Sequence, residues 1–317
     1  MKRILDKRGM TAEDWQAYRK QQKGIGGSDV ATLLGLNPYK TPFTLWLEKT
    51  GQIESGEVNN EYVEWGNILE PVIREKFVKE TGFEVFENPY VLQHDEHDFM
   101  VANLDGEVID ESGERGVLEI KTASERMAKD WIDAPPNHYL LQIMHYLAVT
   151  GYSYAYCAVL IGGHNFKYFK IERDDYIIDQ IISAEMDFML RVKNWIAPEI
   201  SGHSADSEYL ANAYPEASEE EGLLPPHLET LAIKYDGIQQ EIKALQAEAD
   251  LIKNRIKLEA REYKALKSNR VKILMPTVKK VNFDTKLFAA DYPELYEKYK
   301  TKEISYRNFT ISFEGES

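Results

Sequence analysis

The sequence predicts a mixed α/β core followed by a helical arm, on three observations. Amphipathic helical segments and alternating apolar strands interleave up to about residue 197. A polar stretch at 201–226, carrying SEEEG and Pro225–Pro226, then interrupts the pattern. Beyond it, apolar residues recur at alternating spacings of four and three, a heptad seam.

Each element has its own signal. TAEDWQAYRKQQ at 11–22 opens a helix, with Thr11 as cap and Asp14 three positions on in a capping-box-like start. GIGGSD at 24–29 breaks that helix, and DVATLLGL resumes the periodicity with Ser28 as its expected N-cap. TPFTLWLEKTG at 41–51 begins another helix, with Pro42 in the first turn and Gly51 past the end. Residues 61–82 form a longer amphipathic helix that stops at Gly82. Three strand-like pieces follow: FEVFENPYVLQ (83–93), FMVANLDGEVID (99–110) and GVLEIKT (116–122). The turn cluster ESGERG joins the last two as a hairpin.

PPNHYLLQIMHYLAVTG (135–151) is a helix opened by Pro136, SYAYCAVLIGG (153–163) and NFKYFKIER (165–173) are strands, and 174–197 is a long helix. The polar linker places the domain boundary at 1–222 for the core and 223–317 for the arm. In the arm the seam runs from Leu231 through Ile238, Leu245 and Ile252 to Leu266, broken once by Glu259. VKILMPTVKKVNF (271–283) and YRNFTISF (306–313) alternate as short strands.

Composition narrows the function classes. A chain of 317 residues that is 43% hydrophobic and 29% charged reads as globular. No apolar stretch approaches the ~20 residues of a membrane span, and MKRILDKRGM has no apolar signal region, so neither a membrane anchor nor a leader is expected. The single cysteine, Cys157, lies in an apolar run and is expected to be a buried strand residue in a reducing cytoplasm. A net charge of −15 argues against general polyanion binding. Residues 253–286 qualify that, with eleven Lys or Arg against three acids, a local balance of +8 that serves either as a polyanion footprint or as a solvated helix face.

The candidate chemistry sits at the hairpin. Glu119 and Lys121 share one face of a strand, because strand side chains alternate with period two. Folding the hairpin about a centre near Gly113 sets Asp105 opposite residue 121 or so, which brings one aspartate, one glutamate and one lysine to a single face. Two such carboxylates repel unless a cation lies between them, and oxygen donors of this kind suit Mg²⁺ or Mn²⁺. A divalent ion flanked by a lysine suits phosphodiester hydrolysis, whereas E-x-K alone is a common surface ion pair.

The wider pattern resembles the YqaJ-type viral recombinases and lambda-type exonucleases of the PD-(D/E)XK nuclease superfamily. The resemblance rests on six ordered blocks: Trp15-x3-Arg19, the 24–51 segment GIGGSDVATLLGLNPYKTPFTLWLEKTG, GNILEPVIREKF at 66–77, NLDG at 103–106, LEIKT at 118–122 and Gln142-x3-Tyr146. The proline of the superfamily name is absent, and NLDG carries the aspartate alone. The resemblance implies a restriction-endonuclease-like core, a mixed central sheet flanked by helices. It implies that Asp105 and Glu119, with the Ile120 carbonyl, hold Mg²⁺ (Mn²⁺ substituting), that Lys121 orients the attacking water, and that Glu70 supports a second ion or its waters. It further implies that Arg19 and Ser28 hold a 5′-terminal phosphate, and that Gln142 and Tyr146 border the site and contact DNA; by residue type alone, Tyr146 fits the core equally well.

The implied activity is a 5′-end exonuclease on duplex DNA that leaves a 3′ overhang for phage annealing-type recombination in the bacterial host cytoplasm. Its partners would be double-stranded DNA ends, a single-strand annealing protein and further copies of the chain, a ring among the options. The alternatives are a structure-selective endonuclease on the same fold and a non-catalytic DNA-end-binding module; retention of Asp105, Glu119 and Lys121 weighs against the second. His94 and His97 in QHDEHDF read as a polar turn rather than a zinc site, while His138 and His145 lie on the Gln142 helix with packing and phosphate roles both open. Tyr152, Tyr154 and Tyr156 alternate on one strand face and read as sheet packing.

Overall fold

The computed structural model describes residues 1–54, 61–300 and 306–313. Contacts divide the chain into two compact units, Met1–Leu210 and Ala211–Ser317. The first unit opens with a strand that the sequence pattern did not announce, β1 (Lys2–Asp6). Helix α1 (Ala12–Gln21) carries the capping box, since Thr11 Oγ1 accepts from Asp14 N at 3.1 Å while Asp14 Oδ2 accepts from Thr11 N at 3.1 Å. Helix α2 (Gly27–Leu33) starts two residues earlier than the expected Ser28 cap. Gly26 is the N-cap, and its N–H donates to the Asp29 side chain at 3.2 Å. The acid three positions on thus serves the cap residue's own N–H, the reciprocal half of a capping box, while a glycine cap has no side chain to serve the N–H of Asp29.

Helix α3 (Pro42–Lys49) begins at Thr41 with proline in its first turn, as its sequence specifies. Helix α4 (Glu61–Thr81) holds Pro71 inside it and ends before Gly82, whose φ of +73° only glycine adopts readily. Strands β2 (Glu84–Phe86), β3 (Tyr90–Gln93), β4 (Val101–Ala102), β5 (Gly106–Ile109) and β6 (Arg115–Ala123) follow. After a 3₁₀ turn at Glu125–Asp130 come α5 (Asn137–Thr150), β7 (Tyr154–Ile161), β8 (Asn165–Glu172), α6 (Asp175–Asn194) and α7 (Ser204–Ala213). The last of these lies inside the stretch expected to be an irregular linker. It is fixed by buried Asp206, which accepts from Thr41 Oγ1 at 2.5 Å and from Ser201 Oγ at 2.7 Å.

The central sheet has five strands in the order β2-β5-β6-β7-β8, parallel between β6 and β7 and antiparallel elsewhere. This is the mixed, helix-flanked sheet the sequence predicts. A second, antiparallel sheet has the order β1-β3-β4. Two expected strands therefore divide between sheets. FEVFENPYVLQ breaks at Asn88–Pro89 into β2 and β3, and FMVANLDGEVID breaks at Asn103–Asp105 into β4 and β5. The hairpin register also differs from the expected one: Gly106 pairs with Leu118 and Ile109 with Arg115, so the ladder would bring residue 105 to 119 rather than 121.

Two cores form on the two sheet faces. Leu118, Ile120, Val108 and Tyr156 pack against Ile73 and Phe77 of α4. On the other face Val117, Cys157 and Val159 pack against Ile143 and Leu147 of α5, with Ile178 and Ile181 of α6 behind them. Cys157 is fully buried, as its apolar run predicts. Tyr154 and Tyr156 pack in the α4-side core. His94 Nδ1 accepts from the backbone N–H groups of Glu96 and His97 at 3.1 Å each, the geometry of a polar turn.

The second unit is built on α8 (Pro226–Ala260), followed by β9 (Ala265–Lys267) and β10 (Lys272–Leu274) as a hairpin, α9 (Thr285–Asp291) and α10 (Pro293–Tyr299). The seam stops at the end of α8: Arg261 adopts a φ of +47° and Leu266 lies in β9, so the last two seam positions leave the helix. Residues 275–283 and 306–313 form no strand, contrary to their alternation. Met275 N donates to the Lys264 carbonyl at 2.9 Å, one step past the β9–β10 ladder, but beyond it neither segment has a described ladder partner, and alternation alone does not hold a strand.

Inside the first unit, His145 of α5 is fully buried. Its Nδ1 lies 2.7 Å from Glu185 Oε1 of α6 and its Nε2 lies 2.9 Å from the Val101 carbonyl of β4. A carbonyl can only accept, so Nε2 carries a hydrogen. Burial opposes the charged imidazole, but the Glu185 carboxylate outweighs it, and the His145 pKa is raised above 6.5. A raised histidine pKa stabilises the fold fully below the unfolded value, and that contribution disappears as pH rises through the folded one. Glu185→Ala should cost about 3–5 kcal/mol in urea unfolding near pH 6. Wild-type stability should fall as pH climbs through the raised His145 value, and the variant should lose that dependence.

Candidate active site

The candidate site forms where the β5–β6 ladder ends. Beyond the Gly106–Leu118 pair, β6 continues to Ala123 without β5 beside it. The Asp105 carboxylate fills the gap, and its Oδ2 accepts from Ile120 N at 2.8 Å. A carboxylate accepting a backbone N–H here satisfies a donor that the ladder leaves open and fixes its own position.

Glu119 and Lys121 lie on the α5 face of β6. Lys121 Nζ is 2.5 Å from Glu119 Oε1, and the same oxygen accepts from Gln142 Nε2 of α5 at 2.8 Å. Gln142 Nε2 also donates to the Tyr146 hydroxyl at 2.9 Å. Lys121 Nζ sits 4.9 Å above the Tyr139 ring, also on α5. Gly27 lets α2 approach α5 beneath this pair: a Cβ there would lie 2.6 Å from the Tyr146 ring and 2.9 Å from Gln142 Cγ.

Electrostatics is dominated by burial. Burial and then the neighbouring Asp105 charge raise the pKa of Glu119, with Lys121 opposing them. Burial raises that of Asp105, offset in part by Lys121. Burial disfavours the charged form of Lys121, but Glu119 and Asp105 outweigh it and hold the ammonium. One carboxylate oxygen, Glu119 Oε2, is buried without a hydrogen-bond partner. A buried and a half-buried carboxylate that repel one another, with one oxygen open, are a donor set that fits a hard divalent cation, which commonly takes one or two carboxylates and completes its shell with water and phosphate. Among the described residues no three His, Cys, Asp or Glu side chains gather as a ready-made cage.

Glu70 approaches Asp105 from α4, on the other side of the sheet. It is bound to Arg74, whose Nη2 lies 2.6 Å from Glu70 Oε1 and donates to the Asp105 carbonyl at 2.8 Å, while Nη1 reaches Glu87 at 2.7 Å. Burial and then the Asp105 charge raise the Glu70 pKa. These groups line a cleft of about 320 Å³ that also includes Asn67 and Lys7.

The model of the YqaJ-like viral recombinase domain matches residues 14–153. The uncharacterized protein YqaJ of Bacillus subtilis (strain 168) is 38% identical over 308 residues, 95% of this chain and 94% of that one. The chain belongs to the YqaJ-like viral recombinase family. Protein D345L of African swine fever virus (strain Badajoz 1971 Vero-adapted) is 36% identical over 64 residues, 20% of this chain and 18% of that one. Among solved structures, an alkaline exonuclease (LHK-Exo) from Laribacter hongkongensis is similar at a TM-score of 0.46 and 22% identity, covering 64% of this chain and 98% of that one.

Of the residues singled out in this family member's sequence, the fold brings Asp105, Glu119, Ile120 and Lys121 together and places Gln142 and Tyr146 behind them. Gln142 and Tyr146, expected to border the site and contact DNA, are 8% and 6% exposed; Gln142 donates to Glu119 and to the Tyr146 hydroxyl, and both pack against Gly27 of α2. At Ile120 the structure shows the N–H engaged, by Asp105. Glu70 joins from the adjoining cleft. Arg19 near the end of α1 and Ser28 in the first turn of α2 are both exposed and touch none of these groups in a described hydrogen bond. Sequence reasoning passed over Arg74, although E-x3-R at 70–74 is the spacing of a helical ion pair. It also passed over Lys7, which only the small sheet brings near. Gly27→Ala should destabilise the fold by about 1–3 kcal/mol in urea unfolding, since Tyr146 and Gln142 cannot both yield in a packed interface. Unchanged stability would show that α2 is free to withdraw.

Proposed function

We propose that this chain is a Mg²⁺-dependent deoxyribonuclease that digests one strand of duplex DNA from a 5′ end and leaves a 3′ overhang for annealing-type recombination. The observation that carries this reading is the Asp105/Glu119/Lys121 set at the ladder end, with one carboxylate oxygen left open. Membership in a family of viral recombinases supports a recombination role.

Asp105 and Glu119 would hold the ion, with the Ile120 carbonyl and Glu70 as further oxygen donors. A bound divalent ion supplies charge neutralisation at the scissile phosphate and a lowered pKa for the attacking water. Lys121, kept charged by the two carboxylates, would orient that water and stabilise charge on the phosphate oxygens. Gln142 keeps Glu119 turned toward the site by donating to Oε1. Arg19, whose guanidinium fork matches phosphate geometry, and Ser28 would hold the 5′-terminal phosphate. The overhang would pass to a single-strand annealing protein in the bacterial host cytoplasm.

Labelled duplexes with 5′-phosphate, 5′-hydroxyl and closed ends test this directly, each with and without Mg²⁺. Linear 5′-phosphorylated duplex should be shortened from its 5′ end only with Mg²⁺ or Mn²⁺. Asp105→Ala and Lys121→Ala should each lose about 10²-fold or more, and Mg²⁺ should raise the melting temperature of wild type but not of Asp105→Ala. Arg19→Ala should slow phosphorylated ends about ten- to hundred-fold more than hydroxyl ends. Cutting of closed circles would instead make it an endonuclease, and binding without cleavage a DNA-end module.

Self-assembly belongs to the same proposal. Leu231, Ile238, Ile242, Leu245 and Ile252 on α8 are each 44–65% exposed along the seam. A parallel second α8 in register would cover them and set Glu248 beside the other copy's Lys253. Sedimentation should report an oligomer for wild type and a monomer for the Leu245→Lys, Ile252→Lys double variant; a monomeric wild type would remove the assembly.

A further inference from the structure

The cleft beside Asp105 contains a cation delivered from outside the matched family domain. Lys7 follows β1 and precedes residue 14, where the family match begins. Its backbone N–H donates to the Pro89 carbonyl at 2.7 Å, extending the β1–β3 ladder by one step and fixing the residue. The half-buried side chain lines the same cleft as Glu70, Arg74 and Asp105. Its Nζ donates to Asn103 Oδ1, in the loop that carries Asp105, and lies 5.6 Å from the ring of Trp15, one helical turn before Arg19. Lys7 thus stands between the carboxylates and the helix that bears Arg19.

The two cations of the cleft are differently engaged. Arg74 is committed to Glu70, Glu87 and the Asp105 carbonyl. Lys7 has only the amide oxygen of Asn103 as a hydrogen-bond partner and no ion pair among the described residues. An ammonium carries three donors, and a partly buried one without a bound anion has donors to give. Asp105 and Glu70 attract it at longer range, and an ion neutralising those carboxylates would leave the ammonium without that compensation. The ligand that fits is an anion reaching across Asp105, and the cleft has room for one phosphate with part of its sugar.

We propose that Lys7 is a substrate-binding residue that grips a phosphate group lying between Asp105 and the Arg19 helix. This rests on the nuclease reading above. The phosphate belongs either to the intact DNA strand or to a released nucleoside 5′-monophosphate. Full-length wild type, Lys7→Gln, Lys7→Met and Lys7→Arg are compared for binding to a fluorescent 5′-phosphorylated duplex by anisotropy, with Ca²⁺ present, across a series of salt concentrations. Lys7→Gln and Lys7→Met should weaken binding about tenfold and lower the slope of log affinity against log salt by about one, while Lys7→Arg keeps the slope.

In a parallel arm, a deoxynucleoside 5′-monophosphate and the matching nucleoside compete with the duplex. Weaker competition by the monophosphate alone in Lys7→Gln identifies the released nucleotide as a ligand; a change confined to the duplex arm identifies the strand. Wild-type affinity and slope in both neutral variants would overturn the proposal. So would tighter Mn²⁺ binding with duplex binding unchanged, since Lys7 would then only offset the carboxylates. A wild type that binds no duplex overturns the nuclease reading itself, and that failure appears in wild type rather than in the variants.

Discussion

A single unfinished ladder organises the candidate site. β5 stops pairing with β6 at Gly106–Leu118, and the Asp105 carboxylate takes the Ile120 N–H beyond it. That hydrogen bond fixes an acid at the sheet end, while the continuing strand carries Glu119 and Lys121 on to the α5 face. Had the ladder run on, the Ile120 N–H would have had a backbone partner and Asp105 no such anchor. The site therefore lies where backbone pairing gives way to side-chain pairing.

The surrounding packing keeps that end rigid. Ile73 and Phe77 of α4 press on Leu118 and Ile120 from one side, while α5 lays Gln142 and Tyr146 against Glu119 on the other. Glycine at position 27 allows α2 to close over α5, because any larger residue meets the Tyr146 ring. The buried His145 holds β4 and α6 together, and the chain leaving β4 runs straight to Asp105. Residues far from the candidate site thus position it through contacts that leave few alternatives.

Charge explains why so polar a cluster lies in so apolar a place. Glu119 is 1% exposed, and burial and repulsion both work against its ionisation. Lys121 offsets part of that cost but pairs with only one of the two oxygens. Such an arrangement is poorly explained as a device for stability, since a buried pair is often matched by apolar residues of the same size. A buried carboxylate perturbed by burial and by a specific charge neighbour is what marks a candidate functional site.

Much of this was legible in the sequence because it depends on local rules. The alternation of GVLEIKT puts Glu119 and Lys121 on one face whatever surrounds them, the Thr11 capping box forms within four residues, and Gly82 ends α4 through its own φ. The six ordered blocks identified the family for the same reason, since residue type and spacing are properties of the chain alone. Other features are set by partners distant in sequence. Which sheet each half of FMVANLDGEVID joins, and that Asp105 aligns with Glu119 rather than Lys121, follow from strand pairing that alternation does not encode. Asp29, rather than Ser28, serves the N-cap donor of α2, and it is also held by Lys49 at 2.9 Å from another helix. Lys7 reaches the cleft only because β1 pairs with β3. A sequence determines which groups its local geometry presents; only tertiary structure decides which of them meet, because that depends on the registers and packing of segments far apart in the chain.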